Sequence, residues 1–281
     1  MNRIYIILLI VVFIVGLIAY QSQSIQRTYR DEVARRLRET GPAAAMITEK
    51  DIAPLPAPVQ KYLRRSGAIG RAKPRNVRIV WEGAMRQPPK GAWMKFRFEQ
   101  YNFFEQPARF FLIRGNMAGI PATGLDSYRN GKGNMLIKLG GIIPVVNAVD
   151  PKMDQAALVT YFNDMCLFTP GALLDRRIRW ETIDATTVKA TFSDSGLTIS
   201  GILYFNDTGD LVNFITDDRY YSPTGKTYQK ARWSTPIHRH RKLNGMWLPA
   251  SCEAVWHFQD GDFCYAKFEI KEVAYNCANF Q

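Results

Sequence analysis

The sequence predicts a mainly β fold of the α+β class. This would be an antiparallel β-meander half-barrel or curved sheet, with a central helix packed on its concave face and an N-terminal transmembrane helix in front. Three observations predict it. Residues 150–174 are the one strong helical block in a chain otherwise patterned as strands. Runs of short alternating segments, separated by tight-turn dipeptides, lie on both sides of that block. An uncharged run opens at Ile4 and closes at Tyr20, directly after Asn2-Arg3.

The uncharged run is 17 residues long. At 1.5 Å per residue it covers roughly 26 Å, slightly less than a hydrocarbon core of about 30 Å, and Arg3 can snorkel to close the gap. Tyr5 and Tyr20 stand at its two ends, where interfacial rings are favoured. Ser22-Gln23-Ser24 offers the competing reading of a cleaved signal peptide, but the run exceeds the usual core of about 7–15 residues, so an uncleaved single-pass anchor is preferred. No cysteine is near enough for a lipoprotein anchor. Arg27, Arg30, Arg35, Arg36 and Arg38 follow the run, against Arg3 alone before it, so the positive-inside rule leans toward a cytoplasmic domain.

The formal charge is +12, and residues 21–80 hold 13 Lys/Arg against 5 Asp/Glu. A basic collar so close to an apolar span points to anionic lipid headgroups, contacted through those five arginines. A nucleic-acid partner is excluded, because no module signature accompanies the charge. An apolar content of 47% with 12% aromatic residues supports a real core. The expected organisation is an anchor at 1–22, a basic juxtamembrane helical stalk and Pro-rich linker at 23–74, and an antiparallel β domain at 75–281 with a helical insertion at 150–174.

In order, residues 23–40 read as a charged helix ending near Gly41, a stalk lying along or rising from the headgroups. Ala53-Pro54-Leu55-Pro56-Ala57-Pro58 is stiff and extended, a natural boundary. A short helix over 59–65 stops at Gly67. Strands are predicted at 76–86, 93–101, 109–114, 125–128 and 134–139, the last two joined through Asn130-Gly131, a strong hairpin signal. Asp150 then caps the helical block and Pro151 suits its first position. Met153, Ala157, Leu158, Tyr161 and Met165 form one apolar stripe with Asp154 in its middle. The helix stops before Pro170-Gly171, and Ala172-Leu173-Leu174 adds one turn. Further strands follow at 177–183, 187–192, 197–205, 211–216, 228–241, 246–258 and 263–275, with turns at 207–210, Asn244-Gly245 and Asp260-Gly261. Tight turns between neighbours mean antiparallel order. A hairpin at Asp260-Gly261 sets Cys252 against Glu269 and Cys264 against His257, so these two thiols do not meet; Cys166 and Cys277 could still pair, but the simplest reading is four reduced, packed thiols.

Chemical motifs are sparse. His238 and His240 share a strand face, but a hairpin at Asn244-Gly245 sets His257 opposite Arg232, about 20 Å from His238, so no three-histidine metal site forms. No phosphate loop, nucleophile elbow or paired-cysteine site is present, and no cofactor is implied. Asp154 and Tyr161 are the candidate ligand-binding polar pair, at the polar end of an apolar cavity under the helix. Trp81, Trp93, Phe96, Phe98 and Trp180 would line that cavity. Each has a plainer explanation: dipole compensation for Asp154 and core packing for the rings.

Several residues carry a resemblance. Residues 55–60 with Tyr62-Leu63, Trp93 with Phe96 and Gln100, and Asp126-Ser127-Tyr128 with Gly131 and Gly133 form its first half. Asp154-Gln155, Tyr161, Pro170 with Ala172-Leu173-Leu174, Trp180, Asp184-Ala185 and Trp256 form its second. Over 55–275 the chain resembles a bacterial membrane-anchored family known only as a domain of unknown function, and that family implies no activity. Asp164 and Leu167 stand where the family carries Glu and Trp. More remotely, the meander–helix–meander order is similar to the half-barrel of periplasmic lipoprotein carriers, whose helix covers an apolar cavity.

Three function classes follow. The preferred one is a membrane-tethered binding protein for a lipid or other apolar small molecule, held between a curved sheet and the central helix. The alternatives are a hydrolase whose site is assembled from distant strands, and a structural partner of another membrane protein.

Overall fold

The computed structural model describes Tyr5 and residues 20–41 and 45–281. Apart from Tyr5 and Tyr20, the predicted span at 4–20 lies outside the described residues. Among the described residues no helix is long and apolar enough to cross a membrane.

Six strands run consecutively as an antiparallel meander: β1 (Asn76–Met85), β2 (Met94–Phe103), β3 (Ala108–Met117), β4 (Ile120–Arg129), β5 (Lys132–Leu139) and β6 (Ile143–Ala148). Helix α4 (Pro151–Phe168) and a 3₁₀ turn (Pro170–Leu174) then carry the chain across to a second meander. That meander begins with β7 (Ile178–Thr182), β8 (Thr187–Asp194), β9 (Leu197–Phe205) and β10 (Leu211–Thr216). It ends with β13 (Arg232–Ser234), β14 (Ile237–Leu243), β15 (Met246–Phe258) and β16 (Gly261–Tyr275). A separate two-stranded hairpin, β11 (Tyr220–Tyr221) with β12 (Gln229–Lys230), is inserted after β10. The last strand returns beside the first: β16 pairs with β1 from Val77 opposite Tyr275 to Met85 opposite Ala266. This pairing fuses both meanders into one 14-stranded antiparallel sheet, β6-β5-β4-β3-β2-β1-β16-β15-β13-β10-β9-β8-β7, with β14 paired to β15.

The differences from the expected elements have local causes. β6 was not expected; Pro144 lowers its strand signal, and it is tolerated because β6 is the edge of the sheet. The expected strand at 228–241 breaks into β12, β13 and β14, with Pro236, which has no N–H to give a ladder, between the last two. At the Asp260 hairpin Phe258 faces Gly261, and a bulge follows at Ala254/Val255. Cys252 therefore faces Phe268 and Cys264 faces Val255, one or two residues from the expected register, and all four cysteines are free.

Helix α4 is capped as expected, the Asp150 carboxylate accepting from the N–H groups of Lys152 (2.7 Å) and Met153 (3.1 Å). It does not bury one stripe but nearly its whole circumference. The concave face of the sheet covers one side. The other is covered by the 3₁₀ turn and by α3 (Ala57–Ser66), whose Tyr62 hydroxyl donates to the carbonyls of Cys166 (2.9 Å) and Leu167 (3.3 Å). Gly133 lets β5 approach: a Cβ there would lie 2.4 Å from the Met153 carbonyl oxygen and 2.7 Å from the Ala157 Cβ.

The segment expected as a juxtamembrane stalk is part of the folded unit. Helix α1 (Ser24–Glu39) lays Ile25, Tyr29, Val33 and Leu37 on the convex face of the sheet, against Tyr101, Phe103, Phe110, Leu112 and Leu125. Each such burial contributes roughly 1.5–3 kcal/mol, which favours docking over lying on a membrane. The headgroup role expected for its arginines is corrected at two positions. Arg36 is buried, donating to Gln106 Oε1 (2.7 Å) and Asn130 Oδ1 (3.1 Å). Arg35 is held by Glu32 (2.6 Å) and Glu39 (3.1 Å). The short helix α2 (Glu49–Ile52) precedes α3 and sinks Ile52 into the main core.

Candidate functional site

The inward positions of β1–β5 alternate strictly and set the wall of a cavity: Trp81 on β1, Phe96 on β2, Phe111 and Ile113 on β3, Met135 and Ile137 on β5. Trp233, Cys252, Ala254, Trp256 and Phe268 supply the facing wall from β13, β15 and β16, and Met153, Ala156, Thr160 and Leu167 line it from α4. The cavity volume is about 260 Å³. Five of the chain's nine methionines line it, at positions 85, 94, 117, 135 and 153. Unbranched thioether side chains re-pack easily around ligands of different shape.

A charged cluster sits where α4 meets this wall. Arg109, 4% exposed, donates from Nε to Asp164 Oδ2 and from Nη1 to Asp126 Oδ2, both at 2.7 Å, and stacks its guanidinium on Phe111 at 4.7 Å. Gln100, fully buried, donates its amide to Asp164 Oδ2 (2.7 Å) and Asn102 Oδ1 (2.9 Å). Burial pushes the Asp164 carboxyl above the ordinary carboxylate range, against the pull of Arg109 beside it. Two acceptors of the cluster, Gln100 Oε1 and Asp126 Oδ1, have no protein donor. Next to it Asn163 donates to Thr235 Oγ1 at 2.7 Å, tying α4 to the end of β13.

The β11–β12 hairpin lies across the cavity as a strap. Tyr220, Tyr221, Ser222, Pro223 and Tyr228 line the space, and Tyr221 meets Trp256, Phe258 and Phe263 edge-on at 5.1–6.4 Å. At its far end Gly225 (φ +79°) rests on β6, where a Cβ would lie 2.9 Å from the Ala148 Cβ. The strap is also anchored on the start of α4: Gln155 donates to the Asp218 carbonyl (3.0 Å), and the Lys152 ammonium lies 5.3 Å from the centre of the Tyr228 ring.

Of the residues singled out by sequence, Trp81 and Phe96 line the cavity, and Phe98 stacks directly behind them on Phe111 (5.0 Å). Trp180 packs at the margin of the core on β7, outside the cavity. Trp93 is 37% exposed at the head of β2, with Arg86 and Lys267 over its ring. Tyr161 sits under the helix with its hydroxyl donating to the Phe103 carbonyl (3.0 Å), and burial pushes its phenol well above the usual range. Asp154 faces β5 instead of the cavity, accepting from Lys132 Nζ and Gly133 N, both at 2.8 Å. Its first-turn position therefore serves the helix dipole and the helix–sheet joint. Arg109, Asp126 and Gln100 escaped functional notice in the sequence, although each is a polar residue on the apolar parity of its strand.

Among the described residues no group of histidine, cysteine and carboxylate side chains could hold a metal ion. One hydrogen-bonded chain has the order of a hydrolytic triad: Ser234 Oγ lies 2.8 Å from His257 Nε2, and His257 Nδ1 lies 2.7 Å from Asp262 Oδ1. Its neighbours Trp233 and Trp256 face the cavity, so the chain lies on the other side of the sheet, and Ser234 is only 2% exposed. A nucleophile so covered is read as a structural contact.

Residues 45–268 match the family of unknown function DUF6544, and the chain belongs to that family. No curated protein matches it by sequence. Among solved structures it is similar to a DUF1329 family protein from Desulfovibrio piger, at 12% identity and a TM-score of 0.45 over 79% of this chain and 93% of that one. It is also similar to a LolA superfamily protein from Nitrosomonas europaea, at 11% identity and a TM-score of 0.42 over 77% of this chain and 93% of that one.

Proposed function

We propose that this protein binds an apolar small molecule or the chain of a lipid, in the space between the concave sheet, α4 and the β11–β12 strap, and that residues 1–22 tether it to a membrane. The observation that carries the reading is the cavity itself. Its walls are mainly aliphatic, thioether and aromatic, and its charged groups are few: one cluster where α4 meets the sheet, Arg86 at the end of β1 and Arg219 at the root of the strap. Apolar walls with few localised polar groups are the composition of sites that hold greasy ligands. The methionine content suits a ligand class of variable chain length over a single rigid shape. The tether is supported by the 17 uncharged residues from Ile4 to Tyr20.

The test is native mass spectrometry of the full-length chain taken from its membrane in lipid nanodiscs. The expected result is an adduct of amphiphile mass. Two variants should lose it while keeping the wild-type melting temperature: Ala254→Phe, which fills the space from β15, and Val146→Trp, which fills it from the edge strand β6. An adduct retained by both variants would place the ligand elsewhere and remove the reading.

A further inference from the structure

The cavity contains three arginines, and they are not equivalent. Arg109 is held between Asp126 and Asp164. Arg86 donates Nε to the Cys264 carbonyl (2.9 Å) and lies over Trp93 (4.6 Å) and Phe263 (5.7 Å). Arg219, at the root of the strap, is different. Its guanidinium stacks on two cavity tryptophans, 4.2 Å from the Trp233 ring centre and 5.4 Å from that of Trp256. Its Nε is buried and has no hydrogen-bond partner, and no carboxylate pairs with it among the described residues. The nearby acids are committed elsewhere: Asp217 holds Arg232 (2.8 Å), and Asp218 accepts from Ser200 N (2.7 Å) and Ser200 Oγ (3.1 Å).

A guanidinium presents its donors as a planar fork that matches an oxyanion, and stacking on aromatic faces fixes the direction of that fork. Leaving part of it buried without an acceptor is costly, so the site favours a ligand that brings one. The rest of the cavity sets the ligand's orientation. The cluster at α4 sets two carboxylates, Asp126 and Asp164, against the single Arg109, so its net negative charge disfavours a further anion although Asn102 Nδ2 there lacks an acceptor. The methionine-lined wall of β1–β5 takes an alkyl chain.

We propose that the ligand is an anionic amphiphile, whose carboxylate or phosphate head is read by Arg219 on its tryptophan platform and whose chain lies along the methionine wall. This rests on the cavity reading above and adds the chemical class of the head.

The experiment measures quenching of tryptophan fluorescence by brominated chains in the full-length protein held in amphipol. The probes are 9,10-dibromostearate and its neutral counterpart 9,10-dibromostearyl alcohol, with unbrominated stearyl phosphate and octadecylamine as competitors. The carboxylate should bind about tenfold more tightly than the alcohol, the order expected of one charge-assisted fork pair. Arg219→Gln, which keeps donors but removes the charge, should erase that preference by bringing the acid's affinity down to that of the alcohol for the same variant. Stronger competition by stearyl phosphate than by stearate would assign a phosphate head, and the reverse a carboxylate; either supports the proposal. Equal affinity of acid and alcohol, or a preference that survives Arg219→Gln, overturns it while the cavity reading stands. Stronger competition by octadecylamine also overturns it and moves the head to Gln100 and Asp126. Failure of every long-chain probe to bind overturns both.

Discussion

Replacing Arg109 with methionine tests the buried cluster most directly, because shape is nearly kept while the cation is lost. The guanidinium is 4% exposed and lies 2.7 Å from each of two carboxylates, of which Asp164 is itself buried. Without the arginine the two acids face each other, and at least one must take a proton for the fold to persist. Protonating a carboxyl with an ordinary pKa near 4 at pH 7 costs roughly 1.4 kcal/mol per unit, or about 4 kcal/mol over the interval. That is the same range as the 3–5 kcal/mol typical when one partner of a buried pair is removed. The sign with pH follows from the raised folded-state pKa of Asp164. A carboxyl raised on folding is tolerated in full below its unfolded pKa and costs stability as pH rises through its folded one. Arg109→Met raises it further, so the variant should lose about 3–5 kcal/mol at pH 7 and recover most of it by pH 4–5, relative to wild type at the same pH. Urea unfolding curves across pH 4–8 measure this. A loss independent of pH, or below about 1 kcal/mol at pH 7, would refute the coupling of the acids to Arg109.

Four further outcomes are expected. Gly133→Ala drives a methyl group into the Met153 carbonyl and should cost about 1–3 kcal/mol or more in urea unfolding; a change under about 0.5 kcal/mol would show that the helix gives way freely. Asp154→Asn should cost about 1 kcal/mol and leave bound amphiphile unchanged, since the carboxylate faces Lys132 and Gly133; lost ligand would give Asp154 a part in binding. Deleting residues 1–22 leaves α1 and its convex-face contacts intact, so the chain should become extractable by carbonate; full-length protein that already washes off in high salt would refute the anchor. A fluorophosphonate should leave the folded chain unlabelled, and labelling that disappears in Ser234→Ala would make the Ser234–His257–Asp262 chain a reactive one.

Local chemistry made much of the fold legible. The expected strands at 197–205, 211–216 and 246–258 coincide with β9, β10 and β15, because alternation and turn dipeptides mark their ends. Asn130 and Gly131, like Asn244 and Gly245, have the positive φ values that such hairpins need. Features that depend on distant partners were not legible. The all-round burial of α4 requires α3 and the 3₁₀ turn to close over it, and the docking of α1 requires an apolar convex face on strands that lie far along the chain, from Tyr101 to Leu125. A charged helix beside an apolar run is read as a stalk for as long as that second face is unknown.

The cavity's polar residues could have been found from parity and register together. Gln100 shares the inward parity of Phe96 and Phe98, Arg109 that of Phe111 and Ile113, and Asp126 that of Gly124 and Tyr128. The pairing sets Gln100 opposite Phe111, Phe111 opposite Asp126, and Asn102 opposite Arg109, so four polar residues occupy neighbouring inward positions on three consecutive strands. A lone polar residue on an apolar parity is ordinary. Four on two adjacent levels, with opposite charges among them, mean a buried network that must find a partner on whatever covers the sheet. That partner is Asp164, ten residues along α4 from the aspartate that the helical stripe singled out, and the bond it accepts from Arg109 ties the helix to the polar end of the cavity wall.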